Sequence, residues 1–213
     1  MPSSQYSNNN GAYSLKKFRT SKMPVIGLYS GPGAELAEDV EKILKNRVPY
    51  RIISASEIRH GILEEIKLLI MSGGYTARYI PNLRPQGCTA IRSFLKKKGG
   101  CYLGICAGAY IASSSELKIV KSEMVRESGI FNCEIEICDL THPIFESLEN
   151  PLLVYYQNGP HILPHKDEKS LALYKDGTTS LLEGKNTLIF SWHPEKLPHT
   201  SPILLKSIEY LIH

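Results

Sequence analysis

The chain has 213 residues, 42% of them hydrophobic and 22% charged. That is enough apolar content for one full core and too balanced a mixture for a disordered or fibrous chain. The net charge of +4 is supplied by Lys16, Lys17, Arg19 and Lys22 within residues 1–22, which hold no acidic residue, so the remainder is neutral and lacks a nucleic-acid footprint.

No apolar run approaches the ~20 residues of a membrane span. Residues 1–22 are rich in Ser and Asn and contain no apolar signal-peptide stretch, so they read as a flexible basic arm ahead of a single domain at 23–213. Five cysteines without a Cys-x-x-Cys spacing point to a reducing, cytoplasmic setting rather than a disulfide framework.

Val25 to Tyr29 is a short apolar run stopped by Ser30-Gly31-Pro32-Gly33, a predicted buried strand and its loop. Leu36, Val40, Ile43 and Leu44 recur at helical spacing within Ala34 to Lys45. Tyr50 to Ile53 is a second strand, and Lys67 to Met71 a third, closed by Ser72-Gly73-Gly74. A Pro- and Arg-rich loop, a helix from Gln86 to Lys98 and a fourth strand, Cys101 to Ile105, follow. Continuous apolar strands separated by helices predict a parallel sheet covered on both faces. The second half changes to β segments at Gly129–Ile137, Leu152–Tyr156, Ser170–Tyr174, Thr179–Leu182 and Thr187–Ser191, closed by an amphipathic helix over Ser201–Ile212.

The fourth strand ends in Gly104-Ile105-Cys106-Ala107-Gly108, the thiol form of a nucleophile elbow. Its glycines permit a sharp strained turn that holds Cys106 out at the sheet's tip, against the positive end of the following helix. A thiolate nucleophile needs a base, and the base needs an orienting acceptor. Trp192-His193-Pro194-Glu195 supplies both at the end of a late strand, His193 as base and Glu195 as orienter. The N–H groups of Gly73, Gly74 and Ala107 suit an oxyanion hole.

In this order, Gly-Gly, Gly-x-Cys-x-Gly and His-Pro-Glu resemble class I glutamine amidotransferase-like domains. Tyr102 to Tyr110 together with Tyr155-Tyr156-Gln157-Asn158-Gly159-Pro160 resembles, more narrowly, the biotin–protein ligase N-terminal domain family. The resemblance runs from Val25 to Leu211 and implies a stand-alone α/β domain of flavodoxin-like fold, mostly parallel, with antiparallel additions in its second half. It also implies Cys106, His193 and Glu195 as a triad, and Gly74 with Ala107 as oxyanion donors. A small-molecule or peptide amide is the implied substrate, and a biotin ligase or biotin-related protein the implied partner. Nucleic acid, membrane, metal and organic cofactor are not expected. Glutamine-using members read Gly-x-Cys-x-Gly-x-Gln, whereas this chain has Tyr110 at the last position, so the expected pocket is reshaped and glutaminase activity is not. Nothing resembles the Gly-Arg-Gly-Arg biotin loop, so the chain is not expected to biotinylate.

Two readings of function follow: a Cys-His-Glu amide or acyl hydrolase/transferase, and a non-catalytic binding or regulatory module that keeps the same shell. A hydrolase of small stress metabolites is a third. Tyr110, one helical turn after Cys106, is expected as pocket wall. The resemblance places Asn158 near the pocket, and a turn residue before Gly159-Pro160 is the alternative. Cys88, Cys101, Cys133 and Cys138 read as core. His161 and His165 have a metal-like spacing, but Pro160 and Pro164 forbid the helix that would use it. His142-Pro143-Ile144-Phe145 reads as structural, and Ser30 to Gly33 lacks the Gly-Lys-Ser/Thr of a phosphate loop.

Overall fold

The computed structural model describes residues 26–97 and 99–213. The arm predicted for 1–22, Val25 and Lys98 lie outside them. Five strands run parallel: β2 (Tyr50–Ile53), β1 (Ile26–Tyr29), β3 (Leu68–Met71), β4 (Cys101–Ile105) and β11 (Thr187–Phe190), in that spatial order. The sheet continues antiparallel through β10 (Thr179–Gly184), β9 (Lys169–Leu173), β6 (Ile130–Ile137) and β7 (Leu152–Gln157). A pair formed by β5 (Glu123–Arg126) and β8 (Pro160–Leu163) joins it through β10.

The period of two explains why the parallel strands are apolar throughout. On β4, Cys101, Leu103 and Ile105 enter one core and Tyr102 the other; on β11, Leu188 and Phe190 divide from Ile189 in the same way. Helices α1 (Ala37–Leu44) and α5 (Ser201–Ile212) close the first core with Val40, Leu44, Ile203, Leu204 and Ile208. Helices α2 (Ala55–Arg59), α3 (Thr76–Lys97) and α4 (Ala107–Ala112) close the second with Ile58, Leu83, Ile91, Phe94 and Ile111. Each fully buried Leu or Ile contributes about 1.5–3 kcal/mol.

The structure corrects the Pro- and Arg-rich loop before residue 86, because α3 already begins at Thr76. The break is confined to Arg84, at φ 59° and ψ 171°. Pro85 excludes helical geometry from the residue before it, so the chain turns once there and winds on to Lys97. Helix α2 was also unpredicted, although Ser54 and Glu57 form a complete capping box. Strands β5 and β8 were likewise missed. Cys138 is exposed and Cys133 half-buried, correcting their placement in the core, while Cys88 and Cys101 are buried.

Candidate active site

The elbow is built by two close approaches. A methyl on Gly104 would lie 2.7 Å from Gly108 O, and one on Gly108 only 1.9 Å from Met71 O. Strand β4, helix α4 and the end of β3 therefore pack at distances only glycine permits. Between the glycines, Cys106 takes φ 51° and ψ −103°, a left-side conformation costly for a residue with a side chain. It is held by its neighbour strand, Cys106 N donating to Phe190 O at 2.9 Å. Its thiol donates to Gln157 O at 3.4 Å.

Because β4 and β11 are adjacent and parallel, with Phe190 opposite Ile105, the residues after β11 arrive at the same sheet end as Cys106. His193 is fully buried there, its N–H donating to Tyr155 O at 2.9 Å. Its Nδ1 lies 2.7 Å from Glu195 Oε1. A carboxylate only accepts, so Nδ1 carries a proton toward Glu195. Nε2 is buried without a hydrogen-bond partner among the described residues. A methyl built on Gly73 would sit 2.6 Å from His193 Cε1 and 3.4 Å from Cys106 Cβ, so the imidazole and the thiol-bearing carbon both lie close to this one backbone position. Burial opposes the imidazolium, but the Glu195 carboxylate and Cys106 outweigh it and push the His193 pKa up to about 10.

The third wall is Ser72-Gly73-Gly74, at the end of β3. Gly74 has φ +149°, and a methyl there would strike Glu35 Oε2 and Gly33 O, both at 2.2 Å. The N–H groups of Gly73, Gly74 and Ala107 have no hydrogen-bond acceptor among the described residues. A cavity of about 220 Å³ opens between these walls, lined by Cys106, His193, Gly74, Tyr110, Gln157 and Asn158, with Glu35, Leu36, Tyr75 and Thr76 on the remaining side.

Tyr110 N donates to Cys106 O, so its ring stands one turn along α4 from the thiol, and burial raises its phenol pKa. Asn158 fits both of its readings. It is a left-handed turn residue (φ 51°) whose Oδ1 accepts from Gly129 N at 2.8 Å, and it lines the cavity. Glu35, Tyr75 and Gln157 were not predicted as site residues; Glu35 meets Tyr75 forty positions along the chain, a contact with no local signal. His142 is buried and its Nδ1 accepts from Ile144 N, capping a turn, and His161 lies on β8 rather than a helix. The described residues contain no group of three or more His, Cys, Asp or Glu side chains arranged for a metal, and no helix among them is long and apolar enough to cross a membrane.

This arrangement of sheet and elbow is the class I glutamine amidotransferase-like fold of flavodoxin type. A crystal structure titled glutamine amidotransferase superposes with a TM-score of 0.70 at 18% identity, covering 88% of this chain and 98% of that one. The structure of PurLQS from Thermotoga maritima gives 0.70 at 16% identity, covering 89% and 99%. A glutamine amidotransferase from the same organism gives 0.59 at 16%, covering 87% and 82%. Residues 29–126 match the family described as "Biotin-protein ligase, N terminal". The match runs from the last residue of β1 through β5 and includes Cys106; His193 and Glu195 lie beyond it. Comparison with curated proteins finds no match.

Proposed function

We propose that this domain is a cysteine-dependent amide or acyl hydrolase or transferase working through Cys106, His193 and Glu195. The observation that carries the reading is His193, buried, bonded through Nδ1 to Glu195 and presenting an unpartnered Nε2 beside the elbow thiol. In the proposed reaction the neutral form of His193, whose share grows as pH rises toward 10, takes the Cys106 proton on Nε2 and the sulfur attacks the carbonyl carbon. The resulting oxyanion accepts hydrogen bonds from the N–H groups of Gly74 and Ala107, each such donor being worth about 10²–10³ in rate. Nε2–H then protonates the leaving amine, the C–N bond breaks and a thioester remains on Cys106. Water or an acceptor amine gives a proton to His193, attacks the thioester and restores the thiol.

The substrate is an amide small enough for a cavity of about 220 Å³. Tyr110 stands where glutamine-using relatives carry Gln, so the domain is not proposed as a glutaminase. The nucleophile must stay reduced, and all the described cysteines are free, which suits a cytoplasmic protein. The second reading, a module that binds a biotin ligase or biotin-related protein, draws support from Tyr110 and from a cavity below the usual ~300–1,000 Å³ of ligand sites.

Sub-stoichiometric iodoacetamide followed by peptide mapping tests the first point, with Cys106 expected to label ahead of the other four cysteines. An amide panel run against Cys106→Ala tests turnover. Equal rates for the two proteins on every amide would leave only the binding module.

A further inference from the structure

Resting on that reading, we propose that Glu35 is the positioning residue of the oxyanion site. Its carboxylate locks the Gly73-Gly74-Tyr75 turn onto the β1–α1 loop, and Arg78 neutralises the charge this brings beside the reacting carbonyl.

The turn is held at both ends by one loop. Leu36 N donates to Gly73 O at 3.1 Å. Gly73 C=O and Gly74 N–H belong to the same planar peptide, so fixing the oxygen fixes the opposite direction of the N–H. The next peptide is fixed through Tyr75, whose N–H is shared between Gly33 O at 3.0 Å and Glu35 Oε2 at 2.9 Å. Glu35 Oε1 ties the loop to itself and to α3, accepting from Gly33 N at 3.4 Å and Arg78 Nη1 at 3.1 Å. Gly74 lies so close to both acceptors that a single methyl would overlap them. The Gly74 peptide is therefore clamped from both sides while its own N–H remains unpaired, as an oxyanion donor requires.

The clamp has an electrostatic cost. Glu35 lines the same cavity as Cys106. Burial opposes its charge, but the N–H groups of Tyr75 and Gly33 and the Arg78 guanidinium hold its pKa below the ordinary carboxylate value, so it is ionised. An uncompensated carboxylate beside a developing oxyanion would oppose the reaction. Arg78 bonds that carboxylate and also stacks over the Tyr75 ring, 5.0 Å from its centroid, bridging the clamp and the turn.

Two reagents separate positioning from general damage. Iodoacetamide reacts with Cys106 by displacing iodide at a saturated carbon and forms no oxyanion. With p-nitrophenyl acetate the S–C bond forms at a carbonyl, the C–O bond breaks, p-nitrophenolate leaves and the thiol proton passes to His193, so the oxyanion donors matter. In the full chain, Glu35→Gln should alkylate within twofold of wild type and acetylate at least tenfold more slowly. Arg78→Met alone should also slow acetylation, whereas adding it to Glu35→Gln should cost nothing more, because no charge remains to neutralise. Wild-type acetylation rates in Glu35→Gln would overturn the proposal. An equal fall in alkylation and acetylation would do the same, by showing a scaffold role only. If wild type alkylates but never acetylates, the proposed function fails. The clamp is then decided by hydrogen exchange at the Tyr75 amide, expected at least tenfold faster in Glu35→Gln; unchanged exchange overturns it.

Discussion

Replacing Glu195 with Gln should change how stability depends on pH, because the carboxylate keeps a buried imidazole protonated. His193 is raised from 6.5 to about 10, against the opposition of burial, by Glu195 and Cys106. A group whose folded pKa is raised gives stability that is complete below its unfolded value and is lost as pH climbs toward the folded one. From pH 6.5 to 8.5 the unfolded chain loses this proton while the folded chain keeps it, which removes about 2 kcal/mol of wild-type stability. Glu195→Gln keeps a hydrogen-bond acceptor but not the charge, so burial drives His193 neutral and this slope disappears. Breaking one partner of a buried pair costs about 3–5 kcal/mol, so the variant should be weaker by that order at pH 6 and approach wild type as pH rises. Urea titrations at a series of pH values suffice, read by the single tryptophan, Trp192, which is fully buried. The window stops at 8.5 because burial also raises the thiols of Cys88, Cys101, Cys133 and Cys138, whose unfolded forms ionise from there upward. Parallel stability curves for the two proteins, or a flat wild-type curve, would refute the argument.

Gly73→Ala places a methyl 2.6 Å from His193 Cε1 and 3.0 Å from Leu36 Cδ1. Overpacking should cost about 1–3 kcal/mol in urea, and a displaced imidazole should slow acylation of Cys106 on the order of 10²-fold. Gly108→Ala meets Met71 O at 1.9 Å, a backbone atom that cannot step aside. It should unfold at clearly lower urea concentration than Gly73→Ala, and thermal melting ranks the two. Ammonia release from glutamine should be no faster in wild type than in Cys106→Ala, because Tyr110 occupies the position of the amide side chain; a coupled ammonia assay decides.

The parallel half of the sheet was legible because burial on both faces leaves nearly unbroken apolar runs, and α5 was bounded in the sequence as it stands in the structure, Ser201–Ile212. The elbow around Cys106 was legible for a different reason: it imposes glycine at fixed short spacing, and Gly104 and Gly108 each leave no room for a methyl. The missed elements were set by longer-range geometry. Strand β5 alternates poorly and is mostly exposed, existing because β8 lies beside it. The start of α3 was hidden by Pro81 and Pro85, which read as breakers although only Arg84 leaves helical geometry. Helix α2 did carry its signal, the Ser54–Glu57 capping box. On the site's far wall, Glu35 and Gln157 act through a carboxylate reaching a distant N–H and a backbone carbonyl reaching a thiol, and neither leaves a pattern in the sequence.

The neighbouring placement of β4 and β11 has a consequence during synthesis. Cys106 emerges from the ribosome long before the strand that will deliver His193, and until β11 docks the sulfur has no imidazole beside it. A nascent or prematurely terminated chain thus presents the elbow without its histidine, and the two meet only when the last strand slots in.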